Sequence, residues 1–272
     1  MLGSDICAIL GNQSEIVPFD LKDFDVTDLE SGRNIISQAK PDLLLHCAAY
    51  TDVDGAEREP ERAFETNATG TKNMALVAKD LSIPMLYIST DYIFDGEKGS
   101  PYVESDKPAP LNVYGESKLA GESWVTRLLS RYFIVRTSWL FGRRGRSFIR
   151  KIIDASAAAQ SSGSAQLPVV ADQFGSPTYT VDLARGLATL IRSQSWGVYH
   201  VTNAGHCSWF QYAEKVFGLL RIEVKLVPVD SAQFPQAAKR PEFAVLDNAA
   251  WQKNFGARLR PWQDALEEFL LR

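Results

Sequence analysis

Cysteine and long apolar segments are both scarce in this chain, and each scarcity excludes a class of protein. The three cysteines, Cys7, Cys47 and Cys207, are odd in number and far apart, so we expect neither a disulfide framework nor a zinc site. No apolar run reaches the roughly 18 residues of a membrane-spanning helix, and the N-terminus lacks the pattern of a signal peptide. These absences predict a cytoplasmic protein that does not bind a membrane.

Positive charge is not in excess either. The 29 lysines and arginines are outnumbered by 33 acidic residues, and the net charge is −4. A nucleic-acid partner is therefore not expected, since such proteins need a basic surface. The three histidines, His46, His200 and His206, lack the spacing of metal ligands, so each is interpreted as structural and no metal site is predicted.

Short apolar segments alternate with longer helical patterns along the chain. This alternation predicts an α/β fold with a doubly wound parallel sheet, covered by helices on both faces. The predicted strands are 16–20, 42–49, 84–90, 132–138 and 197–202, and the predicted helices are 4–10, 58–81 and 114–129. Residues 156–166, rich in Ala, Ser and Gly, are interpreted as a mobile connection between lobes.

Tyr114 and Lys118 form the strongest local signal, a Y-x-x-x-K pattern in the predicted helix 114–129. Residues four apart share a helix face, which places the ammonium near the phenol. A neighbouring positive charge lowers the pKa of a phenol from its usual value of about 10. Such a phenol can exchange a proton with a substrate oxygen near neutral pH. Because the pattern is common by chance, a surface tyrosine with a solvated lysine remains the alternative interpretation.

Ser89-Thr90-Asp91 ends the predicted strand 84–90, upstream of Tyr114. Open parallel sheets bind ligands at the carboxyl ends of their strands, so the Thr90 hydroxyl is placed to hold a substrate carbonyl oxygen beside the phenol. Simple capping of the strand end is the alternative for this hydroxyl. The whole order of strand, hydroxyl, loop and helix is much less expected by chance than any one of its parts.

Residues 87–96 and 110–118 together resemble the extended short-chain dehydrogenase/reductases and, more narrowly, the dTDP-4-dehydrorhamnose reductase family. Further matching segments are 25–28, 46–54, 67–71, 136–142, 172–178 and 240–241. The resemblance implies a Rossmann-type sheet and an NADPH- or NADH-dependent oxidoreductase. It also implies a nucleotide-sugar substrate, dTDP-4-dehydro-L-rhamnose, which would be reduced to dTDP-L-rhamnose in dTDP-rhamnose biosynthesis.

The resemblance also implies a role for each matching residue. Tyr114 would donate a proton to the sugar C4 oxygen, Lys118 would lower the pKa of Tyr114 and bind the nicotinamide ribose, and Thr90 would orient the C4 carbonyl. The implied substrate-binding residues are Thr90, Asp91, Tyr92, Trp139 and Arg240, the last of these at the nucleotide diphosphate. The implied cofactor-binding residues are Gly3, Asp20, Asp25, Val26, Ala48, Ala49, Tyr50, Asn67, Tyr114 and Lys118. A core aromatic for Trp139 and a solvated charge for Arg240 remain the alternatives.

Two parts of the chain are expected from the same resemblance. Residues 1–147 and 182–207 would form the dinucleotide-binding domain, and residues 148–181 and 208–272 a small C-terminal substrate-binding lobe.

The N-terminus departs from the family pattern. A dinucleotide-binding fold opens with a strand and a glycine-rich turn, whereas this sequence starts at Met1-Leu2-Gly3, with Gly3 matching the last glycine of that turn. Without the first strand, its two neighbours would lose ladder partners and the pyrophosphate would lose its cradle of amides. Three explanations stay open: a start downstream of the natural one, a strand supplied by a partner or a domain swap, or a shortened homologue that does not bind the cofactor.

Cofactor preference and assembly are open as well. Asp20, at the end of the predicted strand 16–20, suits the ribose hydroxyls of NADH, whereas Lys22 suits the 2′-phosphate of NADPH. Some family members bind magnesium at a dimer contact, and Asp5 lies where such an acid would fall, so magnesium and a homodimer remain open expectations. The alternative functions are a non-catalytic regulatory or binding subunit and another nucleotide-sugar reductase or epimerase.

Overall fold

The computed structural model describes residues 1–11, 13–145, 147–161, 163, 166–256 and 258–271. The strands are β1 (Leu44–His46), β2 (Met85–Thr90), β3 (Tyr132–Thr137), β4 (Leu140–Phe141), β5 (Gln166–Val170), β6 (Phe174–Gly175), β7 (Thr178–Tyr179), β8 (Gly197–His200), β9 (Cys207–Ser208) and β10 (Lys225–Val229). The α-helices are α1 (Leu2–Leu10), α2 (Leu29–Ala39), α3 (Val53–Arg58), α4 (Pro60–Phe64), α5 (Thr71–Asp80), α6 (Val113–Leu128), α7 (Phe148–Ser161), α8 (Thr180–Leu190), α9 (Trp209–Leu220), α10 (Ala249–Phe255) and α11 (Trp262–Leu271). A π-helix, Glu65–Gly70, joins α4 to α5.

Four parallel strands form the central sheet in the order β1–β2–β3–β8. All six residues of β2 are buried, as expected for a strand in the middle of a parallel sheet that is covered on both faces. The register pairs Thr90 with Thr137, so the carboxyl ends of β2 and β3 lie side by side. Ligands of open parallel sheets bind at this edge.

The two faces of the sheet are covered by different helices, because successive strand residues point to opposite sides. Leu86 and Ile88 of β2 pack in a core with apolar residues of α1 and α8. Met85 and Tyr87 of the same strand pack in a second core with residues of α2, α5 and α6. The sheet is therefore doubly wound, as the sequence predicts.

A further core lies outside the sheet and draws on later parts of the chain. Its residues belong mainly to α7, α9 and α11, with Phe141, Val169 and Tyr179 from short strands. β5 pairs with β10 in a two-stranded parallel sheet beside this core. The division into a dinucleotide-binding domain (1–147 and 182–207) and a substrate-binding lobe (148–181 and 208–272) stays a prediction. Within the described residues, no helix has the length and apolar character needed to cross a membrane.

Most of the predicted elements are present, with shifts of a few residues at their ends. The strands near 42–49, 84–90, 132–138 and 197–202 are confirmed as β1, β2, β3 and β8, although β1 is only three residues long. The helices 4–10 and 114–129 are confirmed as α1 and α6. The predicted helix 58–81 is divided into α4, the π-helix and α5.

Two predictions about local structure are wrong. Residues 16–20 form no strand, and Val17 and Phe19 are exposed. No strand among the described residues lies beside this segment to supply ladder hydrogen bonds, so its apolar pattern alone does not produce a strand. Residues 156–161 continue helix α7 rather than forming a mobile connection, because alanine has the highest helix propensity. Residues 162, 164 and 165 of the predicted connection lie outside the described residues.

Candidate active site

The carboxyl end of β2 holds the first site residues. Thr90 is 5% exposed, and its Oγ1 accepts a hydrogen bond from the Tyr92 amide at 3.2 Å. The same hydroxyl lies 3.0 Å from Oδ1 of Asp91, which is also buried. Backbone and carboxylate together fix the position of the Thr90 hydroxyl at the sheet edge.

Helix α6 brings Tyr114 to that hydroxyl. The helix begins after Asn112, whose side chain caps it by accepting from the Gly115 amide at 2.8 Å. Tyr114 then lies in the first helical turn, where interaction of its phenol with the Thr90 hydroxyl lowers its pKa. Burial has the larger, opposite effect and raises the pKa of Tyr114 to about 12. The expected net lowering of this pKa is therefore wrong for the protein alone, because loss of solvent outweighs the polar contacts.

Lys118 lies one turn further along α6 and is 2% exposed. Its Nζ donates to the Ile88 carbonyl at 2.7 Å and lies 4.1 Å from the centre of the Tyr87 ring. Burial lowers the pKa of Lys118 to about 7, while the nearby Glu122 and Cys47 act in the opposite direction. The Lys118 ammonium is therefore hydrogen-bonded to β2 and not to Tyr114, and it lies near Cys47 at the end of β1.

Asn67, in the π-helix, ties two parts of the site together. Its Oδ1 accepts from the Tyr50 amide at 2.8 Å, and its Nδ2 donates both to the Tyr50 carbonyl and to Ser117 Oγ. Asn67 is fully buried, so these bonds are shielded from water. The loop after β1 is thereby fixed against α6 at the residue next to Lys118.

A small cavity opens beside Asp91. It is lined by Asp91, Tyr92, Trp139, Gln173, Phe174, Trp209, Arg240, Pro241 and Ala244. The indoles of Trp139 and Trp209 stack face to face, with ring centres 3.3 Å apart and planes 6° from parallel. A side chain at Gly175 would collide with the Trp139 indole, so a glycine is required for this close approach. Trp139 itself has a positive φ of 45°.

Arg240 is bound by an acid that the sequence did not single out. Its Nη1 and Nη2 each donate to an Asp54 carboxylate oxygen at 2.7 Å. This pair lowers the pKa of Asp54 to about 2. Asp54 Oδ1 also accepts from the Ala238 amide, and Asn112 Nδ2 donates to the Lys239 carbonyl. Residues 238–240 are therefore anchored beside the cavity. We call this segment the Arg240 strap.

Comparison with known proteins places this arrangement in a family. The pattern described as the RmlD substrate binding domain matches residues 1–272. The chain belongs to this family. A dTDP-4-keto-6-deoxy-D-glucose reductase of Streptomyces niveus is 38% identical over 98% of this chain and 92% of the relative. A dTDP-4-dehydrorhamnose reductase of Sinorhizobium fredii is 34% identical over 92% of this chain and 87% of the relative.

Solved structures of RmlD-family proteins share the fold closely. The crystal structure of a dTDP-4-dehydrorhamnose reductase from Bacillus anthracis in complex with NADP superposes with a TM-score of 0.94 at 38% identity, covering 99% of this chain and 95% of the other. The Thermus thermophilus UDP-glucose 4-epimerase complex with NAD, at 18% identity and a TM-score of 0.79, shares the fold alone.

The residues predicted to bind the cofactor are only partly assembled. Tyr50, Asn67, Tyr114 and Lys118 lie together as described, with Ala48 and Ala49 in the loop before Tyr50. Asp25 is exposed and binds Thr27, while the Val26 carbonyl accepts from Asn73. Asp20 is exposed, and its carboxylate accepts from the Leu21 amide. Gly3 lies inside α1, where an added Cβ would contact nothing within 4 Å.

A buried hydroxyl beside Thr90 could bind a polar group of a cofactor. Thr137 Oγ1, one strand over from Thr90, is buried without a hydrogen-bond partner. Buried polar atoms without partners are uncommon and indicate a site for a ligand or water. Among the described residues, no group of three or more His, Cys, Asp or Glu side chains is arranged to hold a metal ion. Asp5, considered for magnesium, instead accepts a hydrogen bond from Thr180.

Sequence reasoning missed Trp209, which lines the cavity, and Asp54, which lies behind it. Each contacts a residue that was predicted, Trp139 and Arg240 respectively. Trp209 is the first residue of α9 and follows Ser208, which forms a capping box with Gln211. This sequence signal predicts where the helix starts, but it does not predict that Trp209 stacks on Trp139. Asp54 lies within the segment 46–54 that carries the resemblance, yet its partner is 186 residues away.

Proposed function

We propose that this chain reduces the C4 carbonyl of dTDP-4-dehydro-L-rhamnose to give dTDP-L-rhamnose, with NADPH or NADH. One observation carries the proposal: the Tyr114 phenol interacts with the Thr90 hydroxyl at the carboxyl edge of a parallel sheet, next to a cavity lined by Trp139 and Arg240. Two hydroxyls that converge on one point can hold and protonate a carbonyl oxygen.

Each residue has a definite task in this reaction. Thr90 and Tyr114 donate hydrogen bonds to the carbonyl oxygen, and Tyr114 gives up its proton as negative charge develops there. Lys118, buried and hydrogen-bonded to the Ile88 carbonyl, binds the nicotinamide ribose. When bound, the reduced nicotinamide supplies the hydride. The pyrophosphate suits the N-terminus of α1, which has no side-chain cap.

The test is a turnover assay with the purified protein. We expect oxidation of NADPH or NADH, followed at 340 nm, that depends on dTDP-4-dehydro-L-rhamnose. Comparing the two cofactors at equal concentration gives the preference that Asp20 and Lys22 leave open. Cofactor binding with no turnover of any 4-keto sugar nucleotide would contradict the proposal.

Another nucleotide-sugar reductase is the second candidate, because the Streptomyces niveus relative bears the name of a reductase of a different 4-keto sugar. A panel of dTDP-4-keto sugars that differ in configuration separates the two candidates by kcat/KM. A non-catalytic binding subunit predicts no turnover with any member of the panel.

We also propose a cytoplasmic location, since all three cysteines are free. We further propose that the protein is a homodimer, which size-exclusion chromatography with light scattering tests.

The Arg240 strap gives a prediction about substrate affinity. Because Nη1 and Nη2 of Arg240 both donate to the Asp54 carboxylate, Arg240→Lys and Asp54→Asn disrupt the same bidentate ion pair. Each should raise KM for the sugar nucleotide by about 10-fold with little change in kcat, since a charge-assisted pair contributes about 1.5–3 kcal/mol. The double variant should be no worse than either single variant. If Arg240 instead binds the diphosphate directly, Arg240→Lys will be much more damaging than Asp54→Asn, and the effects will add.

A further inference from the structure

Asp91 is an acid whose chemistry the proposed reaction does not use. The residue is 2% exposed, and one of its oxygens, Oδ1, lies 3.0 Å from the Thr90 hydroxyl. The other oxygen, Oδ2, is buried and has no hydrogen-bond partner, although the side chain borders the cavity. Hydrogen bonds from Thr90 and from the backbone amides of Asp91 and Tyr92 compensate only part of the cost of burying this carboxylate, so the site favours its protonated form.

The bonds of the Thr90 hydroxyl allow a proton to pass through it. A hydroxyl donates one hydrogen bond and accepts two. Thr90 Oγ1 accepts from the Tyr92 amide, which can only donate. It also lies 3.0 Å from Asp91 Oδ1 and interacts with the Tyr114 phenol, and each of these two groups can be donor or acceptor. The hydroxyl can therefore donate to Asp91 while it accepts from Tyr114, or accept from Asp91 while it donates to Tyr114.

We propose that Asp91 is the proton reservoir of the site and restores the proton of Tyr114 through the Thr90 hydroxyl. The inference rests on the proposed function. After Tyr114 has given its proton to the carbonyl oxygen, the Thr90 O–H bond breaks and its proton bonds to the phenolate oxygen. The Asp91 carboxyl O–H bond breaks in turn, and that proton bonds to Thr90 Oγ1. Asp91 ends as a carboxylate and takes one proton from water when the product leaves.

The ionisation of Asp91 suits this role. Burial raises the pKa of Asp91 to about 7, and the hydrogen bond from Thr90 offsets part of the rise. The ionisable groups that face it are Tyr114 on α6, Tyr92 in the turn after β2 and Arg240 in the strap. The reservoir is loaded below about pH 7 and empties as pH rises through that value, so kcat should fall over the same range.

The first test separates proton return from proton donation. In Asp91→Asn, Tyr114 is still protonated at the start of the first turnover, so a single turnover should keep close to its normal rate. Later turnovers should be slow, because the phenolate must recover its proton by another route. We therefore expect the ratio of the pre-steady-state burst rate to the steady-state rate to rise by about 10-fold relative to the wild type. Ser89→Ala removes another buried hydroxyl of β2 outside this chain of bonds and should leave the ratio unchanged.

Three results would overturn the relay. Burst and steady-state rates that fall together indicate a structural role for Asp91, and an increase in KM alone indicates a contact with a sugar hydroxyl. Rates equal to those of the wild type, with no burst, remove Asp91 from the reaction. In each case an active wild type keeps the proposed function intact.

The second test does not depend on turnover. In protein with ¹³C-labelled aspartate, the Asp91 carboxyl should titrate near pH 7, and Thr90→Val should move the titration to higher pH because a hydrogen bond to the charged form is lost. A carboxyl that titrates near the ordinary value of about 4 would sink the relay even if the chain proved to have another function.

Discussion

Tyr114→Phe is expected to lower kcat by about 10² to 10⁴-fold, the usual contribution of a positioned general acid. Phenylalanine keeps the ring, so the edge-to-face contact with Tyr92, whose centre lies 5.7 Å away, is preserved. Only the hydroxyl that faces Thr90 is lost. Steady-state kinetics give kcat, and a fluorescence titration with NADPH gives the Kd, which separates loss of proton transfer from loss of cofactor binding.

Tyr132→Phe is the matched control for this variant. Tyr132 starts β3, far along the strand from the carboxyl edge, so loss of its hydroxyl should leave kcat unchanged. A Tyr114→Phe protein that kept more than about a tenth of the wild-type kcat would assign the proton transfer to another group. Equal loss in both variants would point to folding rather than chemistry.

The elements that carry the catalytic residues could be predicted because their signals are local. The apolar run of β2 and the helical spacing of Tyr114 and Lys118 lie within 34 consecutive residues, from Met85 to Lys118. An edge of a parallel sheet then brings the strand end and the helix start together without information about distant contacts.

The parts of the site that sequence could not reveal depend on contacts between distant residues or on burial. The ion pair of Arg240 with Asp54 joins residues that are 186 positions apart, and the expected contact of Arg240 with a diphosphate stays a prediction. The pKa of Tyr114 was expected to fall because of Lys118, but burial dominates and raises it. Residues 16–20 have the composition of a strand, whereas a strand also needs a neighbour for its hydrogen bonds. Composition and spacing show which residue types are present. They do not show which side chains are buried from solvent or which distant residues contact each other.

Behind the site, a buried ion pair determines the second large effect. Glu122, one turn beyond Lys118 on α6, receives hydrogen bonds from Nε and Nη2 of Arg136 at 3.0 and 2.8 Å. The two side chains are only 6% and 5% exposed. Arg136 Nη1 donates to the Glu104 carbonyl and lies 3.4 Å from His200 Nε2. Since His200 Nδ1 faces the Tyr102 carbonyl at 2.9 Å, Nδ1 carries the hydrogen and Nε2 accepts.

Glu122→Gln is expected to lower the free energy of unfolding by about 3–5 kcal/mol, because it removes the carboxylate that is paired with the buried Arg136 guanidinium. Urea denaturation measures this loss. As a control, Asp154→Asn, in the exposed pair of Arg150 and Asp154, should change the free energy of unfolding little.

The double variant Glu122→Leu with Arg136→Met should recover most of the stability, because two apolar side chains of similar size leave no buried charge. A Glu122→Gln protein as stable as the wild type would mean that water reaches Arg136.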